Sequence, residues 1–323
     1  MFMKIEELIE TNKENYEKIA ISEGAIFNRL SWLKMFDDKV QIYGIYDRDN
    51  NLIGGFHLYK QKRFGLTIYR DPPFTPMIGP FLQIKAKNPA EVMNKWKEIL
   101  CLMASFFENL TYSVISISLN KDIIDTQPFI WRKFKVIPGY TYIIDLDKSI
   151  EDISIEMSVK RRNNVYKALK DGLIVKYNNN LEIVKSLVLI TFLRQKKKIN
   201  QYYLNKILFE FANKDNSFSF ISFQNKKPSA ATFCVYDKNT VYYLLSGYDS
   251  KNSHPGAGAL AVWETIKFAK KLGIKYFDFE GSMVPQIEIF FRGFGGKLIP
   301  YYRVNKAKLP LEILLKFYKR EMF

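Results

Sequence analysis

The segment HPGAGAL, residues 254–260, places a proline and two glycines directly before a helical pattern. The first amides of a helix lack internal partners, and the macrodipole leaves them partly positive. Gly256 and Gly258 allow a ligand to approach the backbone closely, and Pro255 fits a first helical turn without loss of a hydrogen bond. We predict that Pro255, Gly256, Ala257 and Gly258 bind an anionic group such as a phosphate. The alternative is a plain connection whose glycines only satisfy a tight turn.

Two familiar phosphate-binding motifs do not describe this segment. No Gly-Lys-Ser/Thr follows, which excludes a P-loop. The dinucleotide-binding fingerprint is also excluded, because its third glycine is missing and the preceding strands read as an antiparallel unit. The glycines therefore indicate an anion site of another kind.

Two carboxylates follow on IKYFDFEG, residues 274–281, which reads as the next strand. Because side chains alternate along a strand, Asp278 and Glu280 are expected on one face, with phenylalanines on the other. Transfer of an acyl group to an amine needs a group that takes the amine proton, and a carboxylate can do so or hold the acceptor ammonium. We predict that at least one of the two is catalytic. The rival is a structural hydrogen bond to the following turn.

Four arginines are candidates for binding substrate. A guanidinium can bind a phosphate or carboxylate through two parallel hydrogen bonds. Arg161 and Arg162 open a helical segment, and the alternative for them is a solvated basic face. Arg194 ends an apolar helix, where a charge that complements the helix dipole is the alternative. Arg292, in IEIFFRGFGG, is expected over the cleft mouth with aromatic rings packed beneath it, and its alternative is a structural arginine bonded to carbonyl groups.

Other classes of catalytic site find little support. Only two histidines are present, His57 and His254, which makes a histidine-based metal site implausible and predicts no metal. No Ser/His/Asp arrangement is readable, so direct transfer between two bound substrates is the simpler chemistry. Cys101 and Cys234 lie far apart in apolar surroundings, which fits a reducing, cytoplasmic location.

The elements that would position these residues repeat along the chain. A helix, two strands with a polar turn and a further helix occur early, and the same design returns around FSFISFQNKKPSAATFCVYDKNTVYYLLSGYD. A chain of 323 residues also favours two domains. We predict an α/β protein of two tandem lobes, residues 1–150 and 151–323. A cleft is expected in this arrangement, and the donor-binding loop belongs to the second lobe.

The order of elements resembles the GNAT acyltransferase fold. The C-terminal half is similar to the FemA/FemB/FemX aminoacyltransferases and their BioF2-like acetyltransferase relatives, through MSVKRRNNVYKALKDGLIV, TFLRQ, YYLLSGYD, PGAGALAVWETIKFAKKLG, YFDFEGS and IEIFFRGFGGKL. The resemblance implies two GNAT-like lobes, each a mixed, mainly antiparallel sheet flanked by helices. It also implies that Gly256 and Gly258 bind the phosphates of an acyl donor. Where FemX-type enzymes carry Phe-Lys before Gly-Phe-Gly, this chain has Phe291-Arg292, which leaves open whether the same substrate is read.

The implied activity is N-acyl transfer from an activated donor to an amine on a cell-envelope precursor, such as an amino sugar or a peptidoglycan peptide. The donor is either acyl-CoA or aminoacyl-tRNA, used as a co-substrate, and no permanently bound cofactor is expected. A small or nucleotide-linked acceptor is the expected partner. The alternative is a non-catalytic RNA-binding protein on the same scaffold, with tyrosines that stack on bases.

The net charge of +16 predicts attraction to a polyanion. It fits tRNA or phosphorylated small molecules, and we expect no DNA partner. The last helical segment, LPLEILLKFYKREMF, is amphipathic and basic. It could rest on an anionic membrane face, whereas docking against the protein core is the default for such a helix.

Overall fold

The computed structural model describes residues 3–177, 180–251, 254–281, 283–319 and 322. The chain forms two compact units. The first unit comprises Met1–Gly139 with Pro300–Phe323, and the second comprises Tyr140–Ile299.

The first unit contains one mixed, mainly antiparallel sheet. Its strand order is β1-β2-β3-β4-β6-β13, and the short β5 pairs with β3. Strands β4 and β6 are parallel, whereas the other described pairs are antiparallel. The strands are β1 (Lys4–Glu7), β2 (Val40–Tyr46), β3 (Leu52–Arg63), β4 (Leu66–Arg70), β5 (Phe81–Leu82), β6 (Val114–Ser118) and β13 (Lys297–Ala307).

The second unit repeats this arrangement. Its order is β8-β9-β10-β11-β12-β7, in which β11 and β12 are parallel and the other pairs are antiparallel. The predicted duplication and the predicted class of sheet are therefore confirmed. The strands are β7 (Lys135–Asp145), β8 (Ile174–Tyr177), β9 (Ser217–Gln224), β10 (Lys227–Tyr236), β11 (Thr240–Tyr248) and β12 (Tyr276–Asp278).

The strand at the end of each unit's order is distant in sequence from the strand with which it pairs. Strand β13 follows the second unit in sequence but pairs with β6, so that Arg303 lies opposite Ser118. Strand β7 follows the first unit but pairs with β12, so that Asp145 lies opposite Tyr276. This exchange explains why the units differ from the predicted lobes 1–150 and 151–323, since a contiguous division cannot represent a returning strand.

Helices cover the sheets and build the cores. In the first unit α3 carries Leu100, Met103 and Phe107 into a core with Phe56. In the second unit α9 carries Leu260 and Ile266 into the core, and α6 packs on the same side. The helices are α1 (Lys13–Glu23), α2 (Leu30–Leu33), α3 (Pro89–Asn109), α4 (Gln127–Trp131), α5 (Ile150–Glu156), α6 (Val159–Lys170), α7 (Leu181–Arg194), α8 (Gln201–Asn205), α9 (Ala257–Lys271), α10 (Pro285–Arg292) and α11 (Leu309–Tyr318).

The length of the helices and the burial of the tyrosines bear on contacts with a membrane and with RNA. Within the described residues, no helix is both long enough and apolar enough to span a membrane. Half of the twenty tyrosines are buried, so core packing rather than base stacking accounts for those side chains.

Candidate functional site

A cleft of about 990 Å³ opens in the second unit where α6, α7, α9, α10 and β11 meet. Its described lining residues include five cationic side chains and no carboxylate. Because cationic side chains cluster here and no carboxylate is among the described lining residues, the cleft is suited to a polyanionic ligand. The cationic side chains are Lys160, Arg161, Arg194, Lys197 and Arg292.

The glycine segment opens α9 at the edge of this cleft. The Ala257 N–H donates to the His254 carbonyl (2.9 Å), and the Gly256 N–H donates to His254 Nδ1 (3.0 Å). Among the described residues, the N–H groups of Gly258 and Ala259 have no hydrogen-bond acceptor. Two helix amides therefore remain free at the positive end of the helix dipole.

The four predicted loop residues have different surroundings. A side chain at Gly258 would meet no atom within 4 Å, and Gly258 and Pro255 line the cleft. At Gly256, a Cβ atom would lie 2.4 Å from the Asn164 carbonyl oxygen on α6. Ala257 is fully buried. Gly258 is thus placed to admit a ligand, whereas Gly256 is required for close packing of α9 on α6.

Beside this helix, the two parallel strands separate. The pairing between β11 and β12 ends at Tyr242 and Asp278, while β11 continues to Tyr248. The β10–β11 register also shifts between Phe233 and Val235, which places a bulge around Tyr243. A bulge locally disrupts the ladder and redirects side chains, and such bulges are frequent next to active sites.

Arg161 lies on the wall of the cleft in an aromatic setting. Its guanidinium is 4.1 Å from the ring centre of Phe290 and 4.9 Å from that of Phe294. Its Nη2 donates to the Phe290 carbonyl (3.0 Å) near the C-terminus of α10. Arg161 is only 8% exposed, and its buried Nε has no partner among the described residues. Among the residues that the structure describes, no carboxylate forms an ion pair with this buried cation.

Burial lowers the pKa of the Arg161 guanidinium to about 10, and the nearby Tyr243 opposes this shift. The group is still charged at neutral pH. A Cβ atom on Gly293 would lie 3.1 Å from Nε, so glycine at this position leaves room for the guanidinium. A buried charge without a counterion is costly, and an anionic ligand would offset that cost.

The neighbouring Arg162 has another role. Its Nη1 donates to the carbonyl groups of Ile155 and Met157, at 2.8 and 2.7 Å. These carbonyls lie at the end of α5, and Arg162 is not among the described residues that line the cleft. The structure therefore gives Arg162 a capping role, and its predicted contact with substrate has no geometric support.

The other two arginines lie at the rim. Arg194 is the last residue of α7. The Tyr248 N–H of β11 donates to the Thr191 hydroxyl of this helix (2.8 Å), and the Arg194 guanidinium lies 5.7 Å from the Tyr248 ring centre. Arg292 is exposed and donates from Nε to Glu288 (2.8 Å). The expected aromatic support under Arg292 is therefore corrected: the phenylalanine rings support Arg161.

The two predicted catalytic carboxylates do not line the cleft among its described residues. Asp278 is 3% exposed and accepts hydrogen bonds from the Thr141 hydroxyl (2.6 Å) and the Glu280 N–H (2.9 Å). Strand β12 ends at Asp278, and Glu280 has a left-handed φ of 59°, so the expected alternation stops before Glu280. Their catalytic roles stay predictions.

The structure adds a residue that the sequence analysis missed. Tyr243 lines the cleft although it is 6% exposed, and its ring packs on Phe279 and Phe291. Burial raises the pKa of Tyr243, while a hydrogen bond with Ser246 and the charge of Arg161 lower it. Tyr243 is thus a neutral phenol that can donate a proton. The motif YYLLSGYD contains Tyr243, but the alternation of side chains along a regular strand does not predict that a bulge turns Tyr243 toward the cleft.

No group of three or more His, Cys, Asp or Glu side chains suited to a metal ion occurs in the part of the chain that the structure describes. The groups of the cleft most suited to an anionic ligand are its cations, the helix start at Gly258 and the buried phenol of Tyr243.

Comparison with known proteins agrees with this architecture. The sequence profile of the Acetyltransferase (GNAT) domain matches residues 197–284. These residues contain β9, β10, β11, α9 and β12, so the matched segment carries the open helix terminus and the separating strands. The fold and the site together define a GNAT-type acyltransferase architecture.

Solved structures show the same fold over nearly the whole chain. A crystal structure of FemX is similar with a TM-score of 0.68 and 13% identity, covering 97% of this chain and 100% of that one. L-PGS from Bacillus licheniformis aligns with a TM-score of 0.54 and 13% identity, covering 98% of both chains. The C-terminal domain of a putative lysylphosphatidylglycerol synthetase from Agrobacterium fabrum aligns with a TM-score of 0.58 and 10% identity, covering 94% of this chain and 95% of that one. The tandem arrangement is therefore FemX-like. Comparison with curated protein sequences finds no match.

Proposed function

We propose that this protein is an N-acyltransferase that moves an acyl or aminoacyl group from a phosphate-bearing donor to an amine on a cell-envelope precursor. The observation that carries the proposal is the cleft itself, where five cations lie beside the uncapped start of α9 at Gly258, with no carboxylate among the described lining residues. FemX and the lysylphosphatidylglycerol synthetases, which share the fold, favour this reaction class over other uses of an anion site. We place the reaction in the cytoplasm.

The phosphates of the donor would bind at the start of α9. The N–H group of Gly258, which lines the cleft and has no acceptor among the described residues, can donate to a phosphate oxygen. Arg161 would bind a further anionic group, and the exposed Lys160 and Lys197 would attract the donor over a longer range.

The acyl group would lie between the separating strands β11 and β12. Main-chain groups at the bulge around Tyr243 can polarise its carbonyl and stabilise the developing oxyanion. The amine nitrogen of the acceptor attacks the acyl carbon, the C–N bond forms, and the bond to the donor's sulfur or oxygen breaks. The Tyr243 phenol, which is neutral at pH 7 and lines the cleft, would protonate the leaving group.

The acceptor amine must also lose a proton. We propose Asp278 or Glu280 as the acceptor of this proton, although neither is among the described residues that line the cleft. The acidic part of a nucleotide-linked acceptor would bind Arg194 or Arg292 at the rim, since both guanidinium groups are exposed there.

The donor can be identified through the salt dependence of binding. A tRNA that neutralises several phosphates should lose affinity steeply with salt, whereas a coenzyme A thioester should lose less. Titrations of the full chain with each donor, at two salt concentrations, make this comparison directly.

Single-turnover transfer with the donor that binds then tests the chemistry. Tyr243→Phe should bind donor normally and transfer the acyl group about 100-fold more slowly, because proton donation typically contributes 10²–10⁴-fold. Failure of every donor class to bind, or full transfer by Tyr243→Phe, would count against the proposed function.

A further inference from the structure

Helix α11 of the first unit presents an apolar face to solvent. None of its described residues is fully buried, so the expected docking against the core is only partial. At about 100° per residue, the exposed apolar side chains occupy roughly half of the helix circumference, while Leu311 and Leu315 on the other side are partly covered. The exposed set is Leu309 (76%), Ile313 (52%), Leu314 (51%), Phe317 (82%) and Tyr318 (80%).

A second exposed apolar group lies at the same end of the sheet. Phe64, at the turn between β3 and β4, is 89% exposed. Hydrogen bonds connect this end: the Ser113 N–H donates to the Thr67 carbonyl (2.7 Å), and the Lys308 N–H donates to the Ser113 carbonyl (3.0 Å). The turn and the start of α11 therefore lie at the same end of the sheet, with β6 between β4 and β13. We call Phe64 and the exposed apolar residues of α11 the apolar end.

Cations surround the apolar end. Lys62 and Arg63 directly precede Phe64, and the Arg63 guanidinium lies 5.1 Å from its ring centre. Lys308 precedes α11, and Lys316 lies within it. Glu312, the one acidic residue of α11, pairs with Lys316 (2.8 Å). The charge beside the apolar residues is thus predominantly positive.

We propose that the apolar end binds the anionic face of a lipid membrane peripherally. Apolar and aromatic side chains flanked by Lys and Arg combine burial in the headgroup region with attraction to acidic lipids. A second copy of the chain is a poorer occupant, because two identical basic surfaces would face each other. This surface belongs to the first unit and its test does not depend on acyl transfer.

The test measures sedimentation of the full-length protein with vesicles of phosphatidylcholine, alone or with roughly 30 mol % phosphatidylglycerol. We expect binding to the acidic vesicles, weaker binding to the neutral ones, and weakening as salt increases. Phe64→Asn with Phe317→Gln should lower the partition coefficient at least about tenfold, because two large apolar side chains no longer enter the lipid. Asparagine suits the left-handed φ of 50° at Phe64.

Ile124→Gln is the matched control. Ile124 is also 76% exposed, but it follows the opposite end of β6. Its variant should bind acidic vesicles as the parent does. Absence of vesicle binding, equal binding to neutral vesicles, equal loss in the control, or self-association that the double substitution abolishes would each overturn the proposal.

Discussion

The first turns of helices α3 and α9 differ although the two helices hold the same place in the duplicated units. In α3 the Asn88 side chain accepts from the Glu91 N–H (2.9 Å), and Glu91 in turn accepts from the Lys87 N–H (2.8 Å). In α9 no side chain caps the helix, and the N–H groups of Gly258 and Ala259 have no described acceptor.

This difference shows how one fold can serve two purposes. The first unit uses its own side chains, including a carboxylate, to satisfy the helix terminus, so an anion would meet repulsion there. The second unit leaves the equivalent groups free and lines the adjoining cleft with cations. The sequence difference is NPAE against PGAG, and it separates a structural helix start from a candidate site.

Gly258→Asp should have the largest effect, because it gives α9 the acidic first turn that α3 has. The carboxylate would occupy the positive helix terminus and repel phosphate, so we expect donor affinity to fall about 100-fold. The free energy of unfolding should stay the same or rise by about 0.5–1 kcal/mol, since the new side chain meets open space and replaces a helix glycine. Calorimetric titration and thermal melting measure the two effects.

Gly258→Ala is the control for size without charge. It should stabilise the protein similarly and weaken donor binding much less. Unchanged donor affinity in Gly258→Asp would show that the first turn of α9 does not bind the donor.

The two histidines extend the comparison to acid stability. His57 in the first unit is fully buried, and neither ring nitrogen has a hydrogen-bond partner among the described residues, whereas His254 bonds to Asp171 (2.9 Å) and to the Gly256 N–H. Burial lowers the pKa of His57 to about 3. In the unfolded state His57 takes up a proton near pH 6.5, whereas the folded state holds it neutral down to about pH 3. The free energy of unfolding is therefore unaffected by the titration of His57 above about pH 6.5. Between pH 6.5 and 3 it falls by up to about 1.4 kcal/mol per pH unit.

Hydrogen exchange between pH 6.5 and 4.5 should therefore show the first unit losing protection before the second. His57→Leu should reduce this pH dependence. An equal loss in both units, or a His57→Leu variant with the same acid sensitivity as the parent, would contradict the assignment.

Asn88→Ala should have the smallest effect and should be confined to stability. Loss of the cap on α3 should lower the free energy of unfolding by about 1 kcal/mol. Donor affinity should be unchanged, since this helix start is not part of the cleft. Urea denaturation and a donor titration check both statements, and a weaker donor complex would mean that the first unit also takes part in binding.

The sequence predicted the features that depend on local pattern. The duplicated strand units, the helix that opens at the glycines and the mixed sheets all follow from periodicity and turn residues. The exchange of β7 and β13 was not predictable in this way, because the pairing partners are far apart in the chain.

Within the site, residue type was predicted better than residue role. Arg161 and Arg162 are neighbours with the same charge, but α6 turns one toward the aromatic wall and the other toward the end of α5. The orientation of Tyr243 depends on a bulge in β11, and that of Glu280 on its own left-handed backbone conformation after β12. These features arise from tertiary packing, which single-sequence patterns do not contain.

The central claim is that Arg161 is a buried cation that an anionic ligand neutralises, and the pair Arg161→Met and Arg162→Met tests it most directly. Both substitutions remove one positive charge from adjacent residues. Thermal melting with and without the donor measures apo stability and ligand stabilisation in the same experiment.

We expect Arg161→Met to change apo stability little, because methionine packs against the aromatic rings, and to lose most of the donor-induced stabilisation. Arg162→Met should instead lower apo stability by about 1–2 kcal/mol through the loss of two carbonyl contacts, while donor-induced stabilisation is retained. Equal donor-induced stabilisation in Arg161→Met and the parent protein would contradict the account.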